Sequence, residues 1–563
     1  MATKDGYPII SEDYADLLIE SSKTKAISEI YPDALIHPIN FLLSLVNVPV
    51  NFITNYTVQH LGYSVFPAIL GLISYASLEA SGIQKLRNIP NHNFRGQGVL
   101  IAVIDTGIDY TNPIFRYADG TTRIAAIWDQ TLQSGNPPKG FLYGSEYTKE
   151  QINLALQSET PYKFVPSKDE IGHGTMVAGI AGGKESMENN FYGAAPDAEF
   201  IIVKLKPAKK YLKKFFCIPE NAIGYQENDV AFALNYVLNE LTVSSRPIAV
   251  CLAINSSEGA HDGRGTLNDY ISFLARVPGI AIVVGAGNEG NAGRHYFGIV
   301  SEITGLDTLQ LKVGDSEKNF SMELYGDVPS IFSLDIISPS GEIITIITPV
   351  MDEFRELLFP YQNTTIYLDY QMVESQTGIQ LIFFRFINPA PGIWQFTINK
   401  KSDINLSFHI WLPMKGFISD RTYFIRPDPY TTVLSLANTT TTITATAYNT
   451  ADDSLYPNAG KGYSRVGGIT PDIAAPGVDV IGPTLYHSFV AYTGTSVSAA
   501  HMTGVAAMLL EWGIVRGNFS NMSSVEIKNL VNAGARRNIN LTYPNRDWGY
   551  GILDIYNIFT FLK

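Results

Sequence analysis

Cysteine is almost missing from this chain. The two present, Cys217 and Cys251, exclude a disulfide framework and zinc-type cysteine spacing, and are expected to be reduced, buried thiols. Positive charge is also scarce: 40 Lys and Arg stand against 53 Asp and Glu, a formal net charge of −13. Phosphate binding needs a positive field, so nucleic acid is not an expected partner. Long apolar runs are absent. The most apolar stretches, 38–52 and 63–76, are too short to cross a bilayer and are interrupted by Pro38, Pro49 and Pro67, so no membrane span is expected. No apolar signal core follows Met1, so Sec export is not expected and the location is expected to be intracellular. Triplets such as Asn438-Thr439-Thr440 are therefore read as chance rather than glycosylation sites. No repeat of solenoid length occurs.

What is present is a globular chain, 45% hydrophobic and 17% charged, and long enough at 563 residues for more than one core. Residues 1–78 form a separate unit in which helix-like and strand-like patterns mix. The run Gly98-Val99-Leu100-Ile101-Ala102-Val103-Ile104-Asp105 is continuously apolar and ends in a carboxylate, the pattern of a buried parallel strand with a functional residue at its C-terminal end. Phe200–Leu205, Ile248–Ile254 and Gly279–Gly285 repeat it. Helix-like stretches at Thr175–Gly182, Glu227–Leu241 and Leu267–Arg276 lie between them, which predicts an α/β fold on a parallel sheet. From 296 to 428 the pattern turns to short strands separated by signals such as Ser338-Pro339-Ser340-Gly341, predicting an all-β insertion of sandwich or jelly-roll type. The α/β character returns over 429–563 and includes a helix from about Ser496 to Trp512.

Four segments carry candidate chemistry. Ser496, in Gly494-Thr495-Ser496-Val497-Ser498-Ala499-Ala500-His501, is placed at a helix N-terminus, where free N–H groups and the positive dipole end favour an oxyanion. The competing structural role is a helix cap. His173, in Ile171-Gly172-His173-Gly174-Thr175, is flanked by glycines that permit close approach of other segments. His37, His261, His295 and His487 lack such a setting and are read as structural. Asp105 ends a buried strand and needs a partner, since a lone buried charge is costly; Asp109 is its nearest rival. Asn288, in Val283-Val284-Gly285-Ala286-Gly287-Asn288, is presented by a glycine-rich turn and could donate its amide to a developing oxyanion. A hydroxyl attacks a peptide carbonyl only if a base takes its proton and a third group fixes that base, so a serine, a histidine and a carboxylate are needed together.

In the order Asp, His, Asn, Ser, these motifs resemble the signature set of the subtilisin-like serine proteases, or subtilases, and more narrowly the clostridial Csp-type germination proteases. The resemblance covers roughly 82–294 and 432–562. It implies a subtilisin-like parallel sheet with helices on both faces, an N-terminal α+β prodomain over 1–78, catalytic parts at 79–295 and 429–563, and an inserted jelly roll at 296–428. It makes Asp105 the orienting acid, His173 the base, Ser496 the nucleophile and Asn288 the oxyanion donor. Ala253, Ile254 and Asn255 correspond to the strand that pairs with substrate, and Gly285, Ala286 and Gly287 line the cleft beside it. The expected partners are a protein or peptide substrate and the chain's own prodomain, with self-cleavage between Leu70 and Glu79. No cofactor is required for the chemistry, and structural calcium is compatible with the resemblance. A spore-associated location and activation of a spore cortex-lytic pro-enzyme follow from the resemblance alone. Two departures stand out: Ala500 replaces a usual proline, and Asn255 replaces a usual glycine in the substrate strand. The alternatives weighed are a catalytically silent subtilase acting as a binding regulator, and an esterase. The latter is disfavoured because the serine context is not Gly-x-Ser-x-Gly.

Overall fold

A computed structural model describes residues 7–55, 57–72, 93–300, 303–327, 332–346, 352–400 and 406–562. The boundary read at 78/79 and most of the self-cleavage window lie outside them.

The strand β5 (Leu100–Asp105) shows why the sequence is apolar at every position. It lies between parallel neighbours β10 (Ile248–Leu252) and β8 (Glu199–Lys204), and none of its residues is more than 1% exposed. Ile101 and Val103 point into one core, Leu100, Ala102 and Ile104 into another on the opposite face. Both faces are therefore covered, and alternation disappears. Outward from β10 follow β12 (Ile280–Gly285) and then the strand Ile443–Asn449, both parallel. Outward from β8 come parallel β6 (Ile124–Asp129) and antiparallel β7 (Ser145–Thr148). One face carries the helices His173–Gly182 and Thr495–Leu510, the other Glu227–Ser244 and Thr266–Leu274.

The helix Thr495–Leu510 is buried along its whole length. With its continuation to Val515 it is, among the described residues, the one helix long and apolar enough to cross a membrane. Its place between the sheet and the His173–Gly182 helix accounts for that composition: a Cβ at Gly504 would stand 2.4 Å from the Ala181 carbonyl oxygen.

The run expected as one strand over 248–254 is two. β10 stops at Leu252, and β11 (Ile254–Asn255) leaves the sheet to pair antiparallel with β4 (Ile69–Leu72) from the N-terminal region. β4 is in turn paired with β9 (Tyr225–Gln226). The rest of the N-terminal region is an antiparallel sheet of β1 (Tyr14–Glu20), β3 (Leu43–Pro49) and β2 (Leu35–Pro38), in the order β1-β3-β2. It docks through a buried ion pair, Lys209 Nζ to Asp16 Oδ1 at 2.7 Å, with Gln226 Nε2 also donating to Asp16 Oδ2.

Among the described residues between 295 and 424, two antiparallel sheets of six and five strands enclose their own core, which includes Trp394, Phe386, Phe384, Phe396 and Phe408. A second aromatic cluster, with Tyr63, Phe66, Phe215, Phe216 and Phe383, joins this insertion, the N-terminal region and the main body. Both cysteines are free and buried, and burial pushes their thiols up to about 12.

Candidate active site

Because β5, β10 and β12 are parallel, their C-terminal ends share one sheet edge, with β5 and β12 two strand spacings apart, about 10 Å. Asp105 is the last residue of β5, Asn255 lies just past β10, and Gly285 ends β12. Three of the segments singled out from sequence therefore meet at this edge, joined by the two helices that begin with or near His173 and Ser496.

His173 is the first residue of its helix, and its Nδ1 lies 2.8 and 2.9 Å from the two carboxylate oxygens of Asp105. Asp105 is 1% exposed and His173 3%. A neutral imidazole that donates from Nδ1 to a carboxylate carries its lone pair on Nε2, the state a general base needs. Gly172 reaches this position at φ +89°. Gly174 permits it sterically: a Cβ there would sit 2.2 Å from the Gly107 carbonyl oxygen.

The loop before His173 is fixed by Asp169, which sequence reasoning missed. Its Oδ1 accepts from Thr106 Oγ1, Ile171 N and Gly172 N, and its Oδ2 accepts from Thr175 N and Oγ1. Thr106 Oγ1 also accepts from Gly174 N at 2.8 Å, tying the end of β5 to the start of the helix. The available signal was an aspartate four residues before the histidine, on the N-terminal side of a helix start. Asp109 is engaged elsewhere, accepting from Thr111 and Tyr162 and pairing with His487 Nε2 at 3.1 Å.

Ser496 is not a helix cap. Gly494 occupies that position at φ +148°, and Ser496 is the second residue of the helix. Its Oγ is buried and makes no hydrogen bond among the described residues. Neighbouring hydroxyls are used: Ser498 Oγ donates to Ala475 O and Thr503 Oγ1 to Ala499 O. The Ser496 hydroxyl alone is left uncommitted by the helix it starts, and that helix packs on the His173 helix.

Asn288 is held by the same helix start. Thr495 N donates to Asn288 Oδ1 at 3.2 Å, and Gly287 N donates to Thr495 Oγ1 at 2.9 Å. With its oxygen turned to Thr495, the amide NH₂ faces the other way. A backbone N–H at the start of the serine helix and a side-chain amide can thus converge on one developing negative charge.

The remaining candidates lie where β10 and β12 end. Ala253, Ile254, Asn255 and Ala286 are fully buried. The edge of β11 is taken by β4, with Ile254 opposite Leu72 and Asn255 opposite Gly71. Two carboxylates not found from sequence anchor β4: Glu227 Oε2 accepts from Ala68 N and Glu258 Oε2 from Ile69 N, each at 3.0 Å. Of the structural histidines, His261 and His295 are buried and His487 is half-exposed. Among the described residues no group of three or more His, Cys, Asp or Glu side chains is arranged to hold a metal ion.

A family model described as the subtilase family matches residues 96–311 and 427–551. Subtilisin of Bacillus sp. (strain TA39) is 25% identical over 195 residues, 35% of this chain and 35% of its own length. The C5a peptidase of Streptococcus pyogenes serotype M6 is 22% identical over 440 residues, 74% of this chain and 34% of its own length. The chain thus spans about a third of the length of these curated relatives. Among solved structures, the CspB protease of Clostridium perfringens superposes with a TM-score of 0.76 and 28% identity, covering 86% of this chain and 98% of that one.

Proposed function

The chain belongs to the subtilase family, and from that premise we propose that it is a serine endopeptidase acting through an acyl-enzyme. One observation carries the reading: a buried Asp105–His173 pair stands beside a helix start whose Ser496 hydroxyl makes no hydrogen bond among the described residues. Substrate adds as a strand on β11, where β4 now lies, so main-chain hydrogen bonds give affinity and side-chain pockets give selectivity. His173 takes the Ser496 proton as Oγ attacks the carbonyl carbon. Asn288 and the N–H of Ser496 hold the oxyanion. The protonated His173 then gives its proton to the leaving amine, and water releases the acyl group by the same steps in reverse.

The same proposal includes self-cleavage of the N-terminal region. Its support is the antiparallel placement of β4 on the edge of β11. The division into a prodomain (1–78), catalytic parts (79–295, 429–563) and a jelly-roll insertion (296–428) belongs to it, as does compatibility with structural calcium. So do a spore-associated location and activation of a cortex-lytic pro-enzyme, the role that the Csp resemblance implies. The test combines a fluorophosphonate probe with mass spectrometry. Wild type is expected to label at Ser496 and to appear as two fragments cut between 70 and 79, whereas Ser496→Ala neither labels nor splits. An unlabelled wild type would instead favour the silent, partner-binding alternative.

A further inference from the structure

Resting on that reading, we infer that Asn255 closes the pocket for the side chain preceding the cut, so that the enzyme selects substrates with a small residue there, glycine, alanine or serine. The pocket is defined by the edge of β11, where β4 pairs, and by the segment Gly285–Gly287 beside it. A peptide strand on β11 that brings its scissile carbonyl to Asn288 must pass its preceding side chain between β11 and the segment Gly285–Gly287, which leads into Asn288.

That slot is bridged. Asn255 is fully buried, and its Nδ2 donates across to the Gly285 carbonyl at 3.3 Å. Its Oδ1 accepts from Ser256 N at 2.9 Å and from Leu436 N at 3.0 Å. The amide therefore ties the two walls to each other and to the segment beneath them. That segment is itself fixed to both walls: Leu434 N donates to Ala286 O, and Ser435 N to Ser256 O. Leu434 packs so closely under the turn that a Cβ on Gly287 would stand 2.4 Å from its Cγ. A large side chain could enter only by breaking the three hydrogen bonds and leaving a buried amide unpaired, which is costly. The arrangement selects by exclusion, not by an attractive contact.

The experiment compares kcat/KM on a peptide series that varies only in the residue before the cut. Wild type is expected to favour alanine over leucine and phenylalanine by about tenfold or more, the scale at which a pocket discriminates by a few carbon atoms. Asn255→Gly should raise cleavage after leucine and phenylalanine relative to alanine by a similar factor. Asn255→Ala, which removes the bridge but keeps a Cβ, should fall between. Equal cleavage after alanine and phenylalanine by a wild type that labels with fluorophosphonate would overturn this inference alone. Failure of wild type to label would overturn both it and the peptidase reading. The wild-type ratio decides the matter even if the variants do not fold.

Discussion

Asn288 has one amide and two directions to serve: its oxygen fixes Thr495 at the start of the serine helix, and in the proposed mechanism its NH₂ turns to the reacting carbonyl. Asn288→Ala removes the second role at the step where negative charge develops. It should lower kcat by about 10²–10³, roughly 2.7–4 kcal/mol as for subtilisin, with little change in KM. A fall in kcat/KM carried entirely by KM would argue that Asn288 binds substrate and does not stabilise the transition state. Residues of this kind were legible in the sequence because each stands where a glycine-flanked turn interrupts an apolar run. Asp169 was not: four of its five hydrogen bonds come from residues 171 to 175 and look like an ordinary loop, and only the one from Thr106, brought in by the end of β5, ties it to the site. Nor could the sequence show that Asn255 turns its amide inward.

The His173 helix and the turn that follows β5 meet at closer range than side chains permit. Gly174→Ala would place a methyl 2.2 Å from the Gly107 carbonyl oxygen, and backbone cannot yield as a flexible side chain would. It is expected to cost about 1–3 kcal/mol or more of stability and to displace His173. Urea unfolding together with probe labelling checks this: a variant of unchanged midpoint that labels at the normal rate would count against it. Element positions were readable where both faces of a strand are buried, as in β5, β8 and β12. The break at Ala253 was not, because its cause is a strand from the N-terminal region, 182 residues away between Gly71 and Ala253, offering β11 an alternative partner. Likewise the helix from Glu227 runs on to Ser244, past the apolar pattern that suggested a stop at Leu241.

Across the whole molecule, three glutamates from different places hold the N-terminal region. Glu227 and Glu258 accept its main-chain N–H groups, and Glu323 of the insertion accepts from Tyr63 Oη and from Gly259 N at 2.8 Å. Burial is the first cause that raises Glu227 and Glu323 to about 7 and Glu258 well above its ordinary value, with Glu374 adding repulsion at Glu323. Groups raised in the docked state take up protons on docking. Docking is therefore firmest below the ordinary carboxyl range and weakens as pH rises through about 7, by about 1.4 kcal/mol per pH unit for each proton released. Hydrogen-exchange protection of the Ala68 and Ile69 amides, corrected for intrinsic rates, should fall on going from about pH 6 to about pH 8. Protection that rises over that interval would reverse the sign and remove the carboxyls as its cause. The composition showed that the chain is acidic, but only the assembled interface shows which acids are desolvated. The order of the segments has one last consequence for a chain leaving the ribosome. Asp105 emerges early and Ser496 only after the entire two-sheet insertion, so a nascent polypeptide passes most of its synthesis with the N-terminal region already made and no nucleophile yet in existence. Under the proposed function, the segment that covers the cleft is therefore made before the hydroxyl it would cover.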